Sequence, residues 1–156
     1  MTEYGKILFI AAIIILYIVF MLVILRFINI RKKKRYRCDS IDEMEGGDFE
    51  YFCADLLRKR GFEEVEVTKG SGDYGVDILA EKDGVTYAIQ CKCYTAPIGV
   101  KAIQEAYAGR DYYDRMVGAV LTNQYFTTPA VEAAKKLKIL LWDRGYLESM
   151  LEEEER

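Results

Sequence analysis

The 156-residue chain contains no histidine. That absence removes Ser-His-Asp and Cys-His hydrolases, HNH and phospholipase-D-like nucleases, and enzymes whose metal is held by imidazole. Cysteine is scarce, at four residues. A cytosolic domain is kept reduced, and Cys91 and Cys93 are too close along one strand for ordinary bridge geometry. A C-x-C pair could form half of a zinc site, but the other cysteines are remote in sequence, so core packing is the expected role. Positive charge is also sparse over most of the chain. From Cys38 onward 14 Lys and Arg stand against 24 Asp and Glu, a balance of −10. Such a domain attracts phosphate backbones weakly unless its cations gather on one face, for which Lys69, Lys101, Arg110 and Arg115 are the candidates. No internal repeat appears, and the acidic run at 152–155 reads as a solvated tail.

Charge is absent altogether from residues 7–25, an apolar run that spans about 28 Å as a helix, close to the hydrocarbon thickness of a bilayer. A cleaved secretory signal would have a shorter apolar core and a basic leader, whereas here the basic cluster at 31–37 follows the run. One transmembrane helix is expected. Positive flanks stay cytoplasmic, so the N-terminus faces outward and the larger domain inward, with Arg26 snorkelling to the headgroups and the cluster touching anionic lipid. The expected organisation is an anchor at 1–30, a basic juxtamembrane linker at 31–43, a domain at 44–151 and a tail at 152–156.

Within the domain, apolar residues Phe49, Phe52, Cys53, Leu56 and Leu57 recur at helical spacing over 48–60, and Gly61 ends that helix. Strands follow at 65–68, 76–80 and 85–93, the last two joined by the hairpin turn at 81–84. Then come a helix at 99–113, a strand at 116–122, a helix at 128–137, a strand at 139–142 and a helix at 144–151. The order implies an α/β fold with a mixed β-sheet flanked by helices.

The chemistry gathers on the hairpin. Asp77 ends a glycine-rich approach, and Gln90 and Lys92 share one face of the next strand while Cys91 and Cys93 take the other. A carboxylate, a neutral carbonyl ligand and an ammonium brought together are what metal-assisted phosphodiester hydrolysis requires. Lone surface Asp and Lys residues are common, but here the polar pair interrupts an otherwise apolar strand. The segment 70–75 also satisfies G-x-G-x-x-G, yet a strand rather than a helix follows it, which rules out a dinucleotide fold. A kinase loop is excluded by size and by the missing catalytic loop.

On these residues the stretch 44–147 resembles the catalytic domain of Mrr-like restriction endonucleases, a branch of the PD-(D/E)xK nuclease superfamily. The matching positions are Glu50 on the opening helix, Asp77 closing G-D-x-G-x-D, and Gln90 and Lys92 as Q-x-K in place of the more general E-x-K. The segments 97–100 and 120–123 fit as well, and the first forty residues lie outside the resemblance. It implies Mg2+, with Mn2+ as a substitute, held by Asp77, the Gln90 carbonyl and the Cys91 backbone carbonyl. Glu50 would compensate for the neutral glutamine directly or through water, and Lys92 would orient the attacking water and stabilise the phosphorane. Asp73 and Gln104 are weaker candidates, and Lys69 and Lys101 would contact substrate.

The implied activity is a membrane-anchored DNA endonuclease of restriction or defence. Its partners would be double-stranded DNA, membrane lipid, and a second copy or partner protein supplementing the acidic surface. A silent, membrane-tethered scaffold that keeps the fold is the alternative. A single-pass assembly protein is a third reading, which the absence of a small-xxx-small seam in the span disfavours.

Overall fold

The computed structural model describes residues 14, 16–21, 41–68 and 74–152, and the chain divides into two units, Met1–Tyr36 and Arg37–Arg156. In the first unit the described residues are helical. Most of the span expected at 7–25 lies outside the described residues, as do the basic cluster, Cys38, Lys69 and Asp73. Among the described residues no helix is long and apolar enough to cross a membrane.

The second unit opens with α1, Gly46–Lys59, whose Phe49, Phe52, Cys53, Leu56 and Leu57 are all buried. These fall at i, i+3, i+4, i+7 and i+8, which places them on one stripe facing the sheet. Burying each of the larger ones contributes about 1.5–3 kcal/mol, and truncating Leu57 to Ala would cost about 2–5 kcal/mol. Gly61, at φ +77°, reverses the chain, and Phe62 N–H closes the end by donating to Leu57 O at 3.1 Å. A side chain rarely adopts that φ, so glycine marks the stop.

The strands are β1 (Glu63–Val67), β2 (Ile78–Lys82), β3 (Val85–Lys92), β4 (Val117–Thr122) and β5 (Ile139–Trp142). They lie side by side in chain order. β1, β2 and β3 pair antiparallel, whereas β3, β4 and β5 pair parallel. Asp83 and Gly84 both have positive φ (52° and 76°), so the β2–β3 connection is a two-residue turn of the mirror-image type that matches strand twist.

The parallel crossovers are made by α2 (Val100–Tyr112) and α3 (Thr128–Leu137), and α4 (Arg144–Glu152) closes the unit. Thr127 caps α3 by accepting from Ala130 N–H, and Lys138 ends it in the left-handed region at φ 56°. One face of the sheet packs Ile89, Cys91, Ala119 and Leu121 against α1 and α4 through Phe49, Leu57, Leu147 and Met150. The other sets Val120 and Ile139 against Ile103, Ala106, Ala130 and Ala134 of α2 and α3. Alternation along β3 therefore sends Cys91 to the α1 face and Gln90 to the α2 face.

Cys53, Cys91 and Cys93 are free, and all three pack in or against the α1 core, as expected of core cysteines. β2 begins at Ile78 rather than Val76. Val76 and Asp77 form the lead-in, held by Thr68 Oγ1 on Val76 O (2.6 Å), Thr68 N–H on Asp77 O and Asp77 N–H on Ile89 O (2.9 Å each).

Candidate active site

That lead-in puts the Asp77 carboxylate beside β3. Asp77 and Gln90 are both buried. Asp77 Oδ2 accepts the Gln90 Nε2 amide at 2.9 Å and the Cys91 backbone N–H at 2.6 Å. The strand edge thus donates to the carboxylate where β2 no longer pairs with it. Turning the Gln90 amide over would set its carbonyl against the carboxylate, so Nε2 must face Asp77. The Gln90 carbonyl Oε1 is then left buried with no hydrogen-bond partner among the described residues. A buried, unpaired acceptor is costly, by about 1–3 kcal/mol, and a cation is one group that would satisfy it.

Lys92 follows on the same strand. Its Nζ lies 3.1 Å from Glu105 Oε2 on α2, and Lys101 Nζ approaches Glu105 Oε1 at 3.7 Å. Glu105, rather than the exposed neighbouring Gln104, is the α2 residue turned to the site. Gly75 makes this closeness feasible, because a Cβ there would lie 2.8 Å from Glu105 Cβ and 3.1 Å from Gln90 Oε1. Its φ of +79° independently favours glycine.

Glu50 stands in the first turns of α1 and is partly buried. Burial pushes the Cys91 thiol well above its ordinary range, reinforced by a hydrogen bond and repulsion involving Cys53 and then by the charges of Asp77 and Glu50. The Cys91 thiol therefore stays protonated, and both acids act on this one strand position. Among the described residues no group of three or more His, Cys, Asp or Glu is arranged to hold a metal ion. A set built on Asp77 with an amide carbonyl is a different donor set, and the orphaned Oε1 beside a carboxylate fits a hard divalent cation.

Of the other cations named from sequence, the described ones, Lys101, Arg110 and Arg115, do not collect here. Lys101 is highly exposed and reaches the site only through Glu105. Arg110 bonds Asp111 and the Leu137 carbonyl and lies over the Tyr107 ring. Arg115 lines a cavity beside β1 with Glu64, Glu66 and Leu79. Two features were not anticipated. Glu105 carried only its i+4 relation to Lys101 as a signal. Buried Asn123, which ends the 120–123 segment noted above, had no role assigned from sequence: it accepts from Tyr94 N–H, donates to Tyr94 O and donates to Asp42 Oδ1, each at 2.9 Å. Arg144 also grips both oxygens of Asp42, which ties the start of the domain to the end of β4.

A family model for restriction endonucleases, Mrr_cat, matches residues 41–151. The chain belongs to this family. Membership makes it an endonuclease-type domain acting on phosphodiester bonds and connects it with DNA cleavage and defence. Among solved structures the Mrr_cat chain resembles AF1548, a protein of unknown function, at 25% identity and TM-score 0.61, over 70% of this chain and 67% of that one. AspBHI, a DNA modification-dependent restriction endonuclease, aligns at 17% identity and TM-score 0.60, over 76% of this chain and 35% of its own. MspJI, solved with a 27-mer oligonucleotide, aligns at 17% identity and TM-score 0.54, over 69% and 28%. The last two likenesses are of fold, and the chain spans only about a third of each of those enzymes. No curated protein matches the sequence.

Proposed function

We propose that the chain is a metal-dependent DNA endonuclease anchored in a membrane by its N-terminal apolar segment. The observation that carries the catalytic part is the Asp77–Gln90 pair, in which the amide donates to the carboxylate and leaves its carbonyl buried and without a partner among the described residues. Asp77, Gln90 Oε1 and the Cys91 backbone carbonyl would hold Mg2+ or Mn2+, with Glu50 adding charge directly or through water. Such an ion polarises a phosphate oxygen and lowers the pKa of a bound water.

The chain's own groups supply the rest. Lys92 sits two residues beyond the ligand Gln90, where its ammonium can orient the attacking water and stabilise the charge that grows on the phosphorane. Glu105 holds that ammonium in one direction while the site waits for substrate. Lys69 and Lys101 would receive the flanking phosphates. Because Gln90 is neutral, the site has one fewer negative charge than a two-acid site, and the Glu50 carboxylate offsets that difference.

The anchor rests on the charge-free run at 7–25 followed by the basic cluster at 31–37. The described part of that run is helical and exposes Leu16, Ile18, Val19 and Phe20, apolar groups that hydrocarbon would cover. The basic flank sets the N-terminus outside and the nuclease in the cytoplasm, where it would meet entering foreign DNA. The acidic balance favours one second reading, a tethered scaffold that has lost cleavage.

Membrane fractionation combined with plasmid nicking tests the proposal. The full chain should extract only with detergent, nick plasmid with Mg2+ or Mn2+, and stop when the metal is chelated. Alkaline carbonate release from membranes would overturn the anchor, and nicking unaffected by chelation would overturn the metal.

A further inference from the structure

At the margin of this site two tyrosines stack in the open. The rings of Tyr74 and Tyr112 lie 3.7 Å apart at 22°, and Tyr113 meets Tyr112 edge-on at 5.0 Å. Tyr74 is 56% exposed and Tyr112 57%, so the stack keeps ring surface available to a further ring. A hydrogen bond with Tyr74 is the main cause raising the Tyr112 phenol above its ordinary range, which marks the two as a held pair.

The pair is continuous with the catalytic residues. Tyr74 immediately precedes Gly75, the residue packed against Gln90 Oε1 and Glu105. The Tyr74 carbonyl in turn lies against Gly109 of α2, where a Cβ would come within 2.9 Å of it. Tyr112 follows Lys101 and Glu105 along one stripe of α2, at i+11 and i+7, about 10 Å along the axis from Glu105.

A domain with a balance of −10 from Cys38 onward gains little from phosphate attraction. Stacking on an aromatic ring works without net charge and requires a base whose face is uncovered. In a duplex both faces of each base are covered by its neighbours, so such a platform favours an unpaired strand.

We propose that the Tyr74–Tyr112 pair is a stacking platform for an unpaired base beside the bond cleaved, so that the substrate is DNA containing a single-stranded stretch, such as a gap, fork or frayed end. This rests on the nuclease reading of the neighbouring site, and it refines the expectation of duplex DNA.

The test is binding by the full chain in mild detergent with EDTA present, so that cleavage plays no part. Fluorescence anisotropy would follow a labelled single strand of about twenty nucleotides and the corresponding blunt duplex. The single strand should bind several-fold tighter than the duplex. Y74L/Y112L should weaken single-strand binding about tenfold and leave duplex binding unchanged, while Y74F/Y112F, which keeps the rings, should bind as the wild type does. Equal binding of the two DNAs by the wild type would overturn the platform. So would unchanged single-strand binding by Y74L/Y112L, including the case in which that variant alters only oligomer size and the pair proves to be a contact between copies. Single-strand binding that depends on the rings, in a protein that cleaves nothing, would leave the platform standing and remove the nuclease.

Discussion

Gln90 donates its side-chain amide to Asp77 Oδ2 at 2.9 Å, on the oxygen that also takes the Cys91 N–H at 2.6 Å. The neutral residue of Q-x-K therefore holds the carboxylate as well as offering a carbonyl. Gln90→Glu exchanges that donor for a second buried anion. Without metal it should destabilise the fold by about 1–3 kcal/mol, because Asp77 loses a partner and gains a like charge. Added Mg2+ should then raise the unfolding temperature more in Gln90→Glu than in the wild type, as differential scanning fluorimetry with and without chelator would show.

The Lys92–Glu105 ion pair, at 3.1 Å, fixes where the ammonium points. Glu105→Gln keeps the shape and removes the charge, so its expected effect is about a tenfold fall in kcat with KM nearly unchanged. Stability should change by no more than about 1 kcal/mol, as for other partly exposed pairs. Equal falls in unfolding temperature and activity would assign Glu105 to the scaffold instead.

Gly75→Ala tests how tightly the lead-in loop must approach. The added Cβ would meet Glu105 Cβ at 2.8 Å and Gln90 Oε1 at 3.1 Å, on a backbone with φ +79°. A loss of about 1–3 kcal/mol in stability is expected from the strained conformation and the overlap, together with loss of cleavage. Urea unfolding and plasmid nicking measure the two.

These contacts also show what a linear reading can reach. The helix at 128–137 and the strand at 139–142 were legible to the residue, because Thr127, Pro129 and the apolar run at 139–142 are local signals. The meeting of Asp77 and Gln90 was legible because a hairpin with an Asp-Gly turn has one natural register. Glu105 was not, since the rotation of α2 on the sheet is set by Ile103, Ala106 and Gly109 packing below it. Helix spacing alone does not separate it from Gln104. Asn123 and Asp42 are 81 positions apart and meet only after the sheet has formed.

Asp42 gives the fold an acid-sensitive tie. Its carboxyl is held below the ordinary aspartate range, chiefly by the Asn123 hydrogen bond and further by Arg144, against an opposing effect of burial. A lowered folded pKa contributes stability that is present above the unfolded value and is lost as pH falls through the folded one. Wild-type stability should decline below about pH 4 partly for this reason. Asp42→Asn should remove that part of the acid slope while lowering stability at pH 7, and urea unfolding across pH 2.5–7 would resolve it.

Cleavage of a circular plasmid carrying a single-stranded gap, by the full chain with Mg2+, tests the central claim most directly when run beside Asp77→Ala and Lys92→Ala. The account predicts nicking by the wild type and a loss of at least about a hundredfold in each variant, with DNA binding retained. Nicking that survives either substitution, or a folded wild-type protein that binds the gapped plasmid and never cuts it, would contradict the assignment of this site.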